Sequence, residues 1–93
     1  MNVNDRQVKL KKIIAVALKY KRENPAPKIA AKGQGTVAEQ IIKIAEKNNI
    51  SIVKDEDLTA ILSILEVDDY IPFEAYAAVA GILQVLHAAN KIN

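Results

Sequence analysis

The stretch IIAVAL at residues 13–18 decides the fold, and basic residues lie on both sides of it. Six consecutive apolar residues are too few for a stable helix, and the run shows no polar alternation. Such a run is typical of a strand that is buried on both faces of a sheet. We therefore expect a short sheet at the centre of the domain, with helices packed against it.

The residues that follow first form an irregular loop with two prolines at 21–28 and then change to helical spacing. Thr36 and Glu39 match a capping box, so a helix is expected to begin there and to end near residues 48–49. The segment 50–53, ISIV, is β-branched and bounded by polar residues, which predicts a second strand. Asp55 is placed to cap another helix.

The last third of the chain predicts a turn at 66–69, an extended bridge at 70–72 and a long helix from Phe73 to about residue 89. One wide apolar stripe of this helix is expected to face inward: Ala75, Ala78, Val79, Ile82, Val85, Leu86 and Ala89. The opposite face is unusually apolar and holds Phe73, Ala80, Gln84, His87 and Lys91, with Tyr76 and Leu83 at its edge.

The order strand, helix, strand, helix, helix indicates an α/β fold, namely a small single-domain sandwich with a short central β-sheet covered by about three or four helices. This domain would span residues 13–93, after a polar N-terminal segment at 1–12. A chain of 93 residues supports one modest core. Cysteine is absent, which excludes disulfides and thiolate zinc sites and makes the cytoplasm the expected compartment.

Charge is unevenly distributed along the chain. Residues 1–48 carry a net +7 and residues 49–93 a net −5. Such asymmetry fits either a bipolar domain whose halves attract each other or a basic nucleic-acid-binding surface. Aromatic stacking residues are not interleaved with the basic ones, so we favour the first interpretation and expect no nucleic-acid partner.

No motif in the chain indicates catalysis, a metal or a cofactor. Gly33, Gly35 and Ala38 fit the spacing of a dinucleotide fingerprint, but the strand before them would cover only residues 28–31, and the glycines are explained by a tight turn into a helix. His87 is the only histidine and has no second imidazole with which to form a site. Helix caps and turns account for the carboxylates at Asp55, Glu56, Asp57, Asp68 and Asp69.

Four stretches together resemble the cytoplasmic domain of the FlhB/YscU family of type III secretion export-switch proteins. They are AVALKY at 15–20, APKIAAKGQG at 26–35, AEQIIKIAEKNNI at 38–50 and IPFEAYAAVAGIL at 71–83. The resemblance runs in order over about residues 13–90. It implies a bacterial component of flagellar or virulence protein export.

The resemblance also implies a self-cleaving Asn-Pro-Thr-His turn, but the positions that would align with it are 10–13, which contain no such motif. Asn24-Pro25 lies after the strand, in a loop, and we expect the chain to stay uncleaved there because a relaxed loop does not strain the asparagine. Without the motif and without membrane helices, the sequence is similar to stand-alone, soluble FlhB-like proteins. It is therefore expected in the cytoplasm, at the periphery of the inner-membrane export gate.

A further implication of the resemblance is a shallow apolar docking site made of Ala26, Pro27, Ala80 and Leu83. Its partners would be export substrates and membrane proteins of the export gate, and no enzymatic activity is expected. Two alternatives stay open at this stage: a basic nucleic-acid-binding domain, and a degenerate relative that acts as a regulatory scaffold.

Overall fold

The computed structural model describes residues 13–92, with the side chains of residues 13–86, so the polar segment 1–12 lies outside the described residues. Two strands are followed by three helices. Their bounds are β1 Ile14–Lys19, β2 Lys28–Gln34, α1 Thr36–Lys47, α2 Glu56–Ser63 and α3 Phe73–Ile92. The strands pair antiparallel, and the small α/β fold class expected from the sequence is confirmed.

A β-bulge sets the register of the sheet. Ala17 pairs with Ala31, but the next residue, Leu18, pairs with Ile29, so that Ala30 has no partner on β1. One extra residue reverses the side-chain alternation beyond it. The bulge therefore turns Ile29 to the same face of the sheet as Leu18, where Ile29 is completely buried.

The sheet lies between α1 on one face and α2 with α3 on the other. Lys32 reaches across one face to donate to the Ser63 carbonyl at the end of α2, at 3.2 Å. The next residue, Gly33, points to the opposite face, where a Cβ would overlap the side chain of Val37 on α1. Close approach of α1 to β2 thus requires a glycine at position 33.

The core lies on the α2/α3 face. Its buried members are Ile29, Leu62, Ile71, Ala75 and Val79. Partly buried apolar side chains surround them: Val16, Leu18, Ala26, Leu58, Leu65 and Leu83. Every element except α1 contributes to this cluster, while α1 buries Ala38 against the sheet.

The segment before α3 completes the sheet at the outer edge of β2. Ile29 donates to the Asp69 carbonyl at 2.9 Å and accepts from the Asp68 amide at 2.8 Å, and Ile71 donates to the Pro27 carbonyl at 3.0 Å. These bonds confirm the predicted turn and extended bridge. They also fix the start of α3 beside the 21–27 loop.

Strand β1 agrees with the prediction within one residue, but the predicted second strand is wrong. Residues 50–53 form no strand, and Ile50, Ile52 and Val53 are about half exposed. The second strand is β2, a seven-residue segment with two lysines, two alanines and a glycine. Pairing with β1 and with residues 68–71 provides the hydrogen bonds that the composition of β2 does not predict.

Two details of the helices also differ from expectation. At the start of α1 the N-cap is Gly35, with φ +57°, and no side chain caps the helix, so the Thr36–Glu39 capping box does not form. In α3 the buried positions Ala75 and Val79 are four residues apart, and the inward stripe is narrower than predicted. Ala78 and Val85 are exposed, because the face of α3 that packs on the core includes Leu83 in their place.

Candidate docking cleft

Three of the four predicted docking residues line one cleft. Pro27, Ala80 and Leu83 enclose a volume of about 190 Å³, together with Tyr20, Tyr76 and Gln84. The cleft lies where the end of β1 and the 21–27 loop meet the middle of α3. Its lining is mainly hydrocarbon with two tyrosine rings.

Helical periodicity explains the α3 side of the cleft. Tyr76, Ala80 and Leu83 are separated by four and three residues, which places them on one face of a helix. Tyr76 is 41% exposed and Ala80 is half-buried, so both present surface to solvent. Leu83 is also half-buried, but it packs on the core and therefore has a structural role as well.

The loop side of the cleft is anchored at Pro27. Pro27 is fully buried and its carbonyl accepts the Ile71 amide. Pro27 therefore forms the floor of the cleft rather than a surface that a partner would cover. A fixed proline φ and a backbone anchor keep the loop close to α3 without a partner bound.

Ala26, the fourth predicted residue, does not line this cleft. It lies in a neighbouring, more open depression of about 350 Å³ with Pro25, Ile71, Phe73 and Tyr76. Tyr76 is common to both hollows and forms the wall between them. Phe73, which also lines the depression, is 90% exposed.

The sequence analysis did not assign Tyr20 to the site. Tyr20 continues the alternation of Val16 and Leu18 one step beyond the end of β1. The same face of the strand therefore carries the Tyr20 ring, which is half exposed, toward α3. Extending the strand pattern by two residues would have predicted it.

Three of the basic residues near the loop contact side chains in the acidic half of the chain, residues 49–93. Lys19 forms an ion pair with Asp68 at 3.0 Å, and Lys32 lies 4.0 Å from Glu66. The Lys28 ammonium is 4.8 Å from the centre of the Tyr70 ring. The hydrogen bond from Lys19 and its charge hold the pKa of the Asp68 carboxyl below its ordinary value. This pattern fits attraction between the two halves better than an open phosphate-binding surface.

The motifs considered for catalysis have structural roles among the described residues. Gly33 lies inside β2 rather than in a phosphate-binding turn, and the Asp55 carboxylate accepts the Leu58 amide at 3.0 Å as the N-cap of α2. Strand β2 covers residues 28–34 rather than only 28–31, so the shortness of the strand was a wrong argument against a dinucleotide site. The position of Gly33 inside this strand still stands against such a site. In the turn at 66–69, the Asp69 carboxylate accepts the Glu66 amide at 2.9 Å.

The described residues also bear on the expectations about a metal site, a membrane span and the Asn24 loop. Among the described residues, no group of three or more His, Cys, Asp or Glu side chains is arranged to hold a metal ion. The side chain of His87 lies outside the described residues. None of the described helices is long and apolar enough to cross a membrane. Asn24 is in a turn, in which its amide donates to the Lys21 carbonyl at 3.0 Å.

Solved structures of the PscU and EscU C-terminal domains have the same fold. The C-terminal domain of PscU superposes with a TM-score of 0.72 at 32% identity, covering 78% of this chain and 95% of that domain. A variant of the EscU C-terminal domain gives a TM-score of 0.75 at 30% identity, covering 81% and 93%. Both likenesses extend to almost the whole of the solved domains.

Sequence comparison leads to the same group. The uncharacterized protein YlqH of Bacillus subtilis (strain 168) is 40% identical over 83% of this chain and 84% of YlqH. The flagellar biosynthetic protein FlhB of Aquifex aeolicus (strain VF5) is 43% identical over 84% of this chain, but the match spans only 23% of that protein. The model of the FlhB HrpN YscU SpaS family matches residues 12–86. With most of its length matched by that model, the chain belongs to the FlhB HrpN YscU SpaS family.

Proposed function

We propose that this domain is a non-enzymatic component of the flagellar or type III protein export apparatus, which docks export substrates or export-gate proteins in the cleft beside α3. The observation that carries the proposal is the coincidence of family membership with a preformed apolar cleft lined by Pro27, Ala80 and Leu83. FlhB relatives named for flagellar biosynthesis, and likeness to the PscU and EscU domains, support the assignment to export.

The size of the cleft suits transient binding. A hollow of about 190 Å³ accepts one or two apolar side chains. The surface that so few side chains bury is far smaller than the area buried in a stable protein interface. Because affinity differences between related interfaces lie mainly in the dissociation rate, a weak contact of this kind is expected to release its partner quickly. Rapid release is what a site for successive export substrates requires, because each chain must move on to the channel.

A charge introduced at Ala80 tests the cleft. Ala80→Asp places a carboxylate in the apolar hollow, while Ala78→Asp makes the same change at an exposed position on the opposite side of α3. The tagged chain is purified from cells with an active export apparatus, and the co-purifying export proteins are quantified by mass spectrometry. We expect the amount of co-purifying export protein to fall at least about tenfold with Ala80→Asp. The free-energy cost of burying an unpaired charge exceeds about 1.4 kcal/mol, which corresponds to a tenfold change in affinity.

The matched variant keeps the test interpretable. Equal losses with Ala80→Asp and Ala78→Asp, or no loss with either, would reject the cleft as the docking site. Leu83→Asp is a poorer probe, because Leu83 packs on the core and its loss would unfold part of the domain. Secretion assays in a strain that lacks the gene separate an export component from a regulatory scaffold without an export role.

The proposal includes an intact chain at Asn24-Pro25. The backbone hydrogen bond from the Asn24 amide to the Lys21 carbonyl, typical of a relaxed turn, supports this part of the proposal, because attack of the asparagine amide on its own carbonyl needs a strained turn. Intact-mass spectrometry after prolonged incubation is expected to show one species of full mass. Two fragments that separate between these residues would refute this part of the proposal.

The proposed place of action is the cytoplasmic side of the inner membrane, at the periphery of the export gate. Family membership supports this location. Fractionation of cells with and without the export gate tests it, because gate-dependent recovery of the chain in the membrane fraction is expected.

A further inference from the structure

We propose that the docking surface extends over both hollows and accepts a proline-containing segment of the partner protein in the polyproline II (PPII) conformation. One proline would occupy the cleft and a second would occupy the neighbouring depression. The inference rests on the proposed docking function, and it names the chemistry of the segment that docks. Three features of the surface support it: the exposed aromatic rings, the spacing of the hollows and the charges beside each hollow.

Exposed aromatic rings line the two hollows. Tyr20 lines the cleft, Phe73 lines the depression, and Tyr76 forms the wall between them. These rings are 50%, 90% and 41% exposed, in that order, so each leaves a large part of its surface open to a ligand. Grooves lined by aromatic side chains are the sites at which proteins bind proline-rich segments in the PPII conformation.

The spacing of the hollows fits one turn of PPII. Taken as spheres, hollows of about 190 and 350 Å³ that share a wall have centres at least roughly 8 Å apart, close to the about 9 Å that three PPII residues cover. Prolines at positions i and i+3 lie on one side of this three-residue helix. A Pro-x-x-Pro segment would therefore place one proline ring in each hollow.

The backbone around the hollows suits PPII better than an added strand. Pro25 and Pro27 have no N–H, and the Pro27 carbonyl already accepts the Ile71 amide. A strand would find no run of free donors and acceptors along this loop. PPII needs no ladder, and its carbonyls accept single hydrogen bonds from side chains. Both tyrosine hydroxyls of the cleft and the Gln84 amide are donors of this kind.

The charges beside the two hollows differ in sign. Lys21 and Arg22 directly follow Tyr20 of the cleft, and both are exposed. Glu23 and Glu74, also exposed, are the nearest charged neighbours in sequence of two residues in the depression. We therefore expect the docked segment to carry an acidic residue beyond the proline in the cleft and a basic residue beyond the proline in the depression.

The test titrates the full chain, labelled with ¹⁵N, with three synthetic peptides: DDAPAVPAKK, DDALAVLAKK and QQAPAVPAQQ. We expect DDAPAVPAKK to bind about tenfold more tightly than the leucine peptide, because each proline restricts the unbound segment. QQAPAVPAQQ should bind about threefold more weakly than DDAPAVPAKK, and added salt should reduce this difference. Binding should shift the amide signals of Tyr20, Phe73 and Tyr76 together, since they belong to both hollows.

Variants at the depression test whether the second hollow takes part. Phe73→Ser removes the most exposed ring of the surface, and Phe73→Tyr keeps a ring at the same position. Ile64→Ser is the matched control, because Ile64 is 79% exposed and lines neither hollow. We expect the affinity for DDAPAVPAKK to fall about fivefold with Phe73→Ser and to change little with the other two variants. Circular dichroism reports whether all three remain folded.

Several results would overturn the inference. They are absence of binding by all three peptides, an affinity for DDALAVLAKK equal to or above that for DDAPAVPAKK, signal shifts confined to one hollow, and unchanged affinity with Phe73→Ser.

Failure of the docking function would look different. Loss of co-purifying export proteins with Ala80→Asp, without a preference for the proline peptide, keeps the docking function and rejects only the PPII segment. Proline-dependent binding over both hollows, with co-purification unaffected by Ala80→Asp, keeps the PPII segment and rejects the docking of export proteins.

Discussion

Replacement of each glycine by alanine gives a sharp test of how α1 packs on the sheet. A Cβ at Gly33 would overlap Val37 Cγ1 and lie 2.8 Å from Val37 Cβ and 3.3 Å from the Val37 carbonyl carbon. Val37 is 51% exposed, so Cγ1 has room to move, but a helical valine strongly prefers one rotamer, and its Cβ and backbone cannot rotate away. The helix or the strand must therefore shift.

The size of the effect follows from two opposing terms. Overpacking of this kind destabilises by about 1–3 kcal/mol. Alanine also restricts the unfolded chain, which returns about 0.4–1 kcal/mol. We expect Gly33→Ala to lower the unfolding free energy by about 1–2 kcal/mol, which is a fall of roughly 5–15 °C in Tm for a domain of this size.

Val37→Ala provides the coupling measurement. Alone it should change stability little, because the side chain is half exposed. Combined with Gly33→Ala it should recover part of the loss, since the Cγ1 contact is removed, giving a coupling of about 1 kcal/mol in a double-mutant cycle. Thermal and urea unfolding, followed by circular dichroism, would measure all four proteins. Unchanged stability in Gly33→Ala, or zero coupling, would refute this account of the packing.

The two other glycines are internal controls for the same substitution. Gly81 is exposed within α3 with nothing within 4 Å of an added Cβ, so Gly81→Ala should stabilise by about 0.5–1 kcal/mol. Gly35 also has open space, but its φ of +57° and ψ of −124° disfavour any side chain. Gly35→Ala should cost about 1–3 kcal/mol with no coupling to Val37→Ala.

Three further predictions concern caps, ion pairs and the exposed aromatic. Asp55→Ala should destabilise by about 1 kcal/mol through loss of the α2 cap, whereas Thr36→Ala, at a position without a cap bond, should change stability much less in urea unfolding. The hydrogen bond and charge of Lys19 lower the pKa of Asp68. The coupling energy between Lys19 and Asp68 in a double-mutant cycle should therefore be present above the ordinary carboxyl pKa and disappear as pH falls through the lowered pKa. The same coupling energy at pH 7 and pH 2 would contradict this prediction. Phe73→Ser should leave Tm within about 2 °C, because the ring is 90% exposed, and a larger fall would show that it packs.

Much of the candidate site could be predicted before the structure, for different reasons. Helical spacing alone groups Ala80 with Leu83, and family resemblance adds Pro27. The separation of Ala26 into its own depression could not be predicted, because it depends on where the Tyr76 ring lies between the loop and α3. The same is true of the buried state of Pro27, which follows from its backbone bond to Ile71.

Local chemistry in the sequence was sufficient for β1, for the extent of α1, for the Asp55 cap of α2 and for the start of α3. These elements carry strong signals of their own, such as an apolar run, an amphipathic period or a capping carboxylate. The identity of the second strand was decided only by tertiary structure. Residues 50–53 have the higher β-propensity but find no partner, while β2, with lysines, alanines and a glycine, is bonded on both sides. A strand is stabilised by the hydrogen bonds and side chains of its neighbours, and neighbours are a property of the fold rather than of the segment.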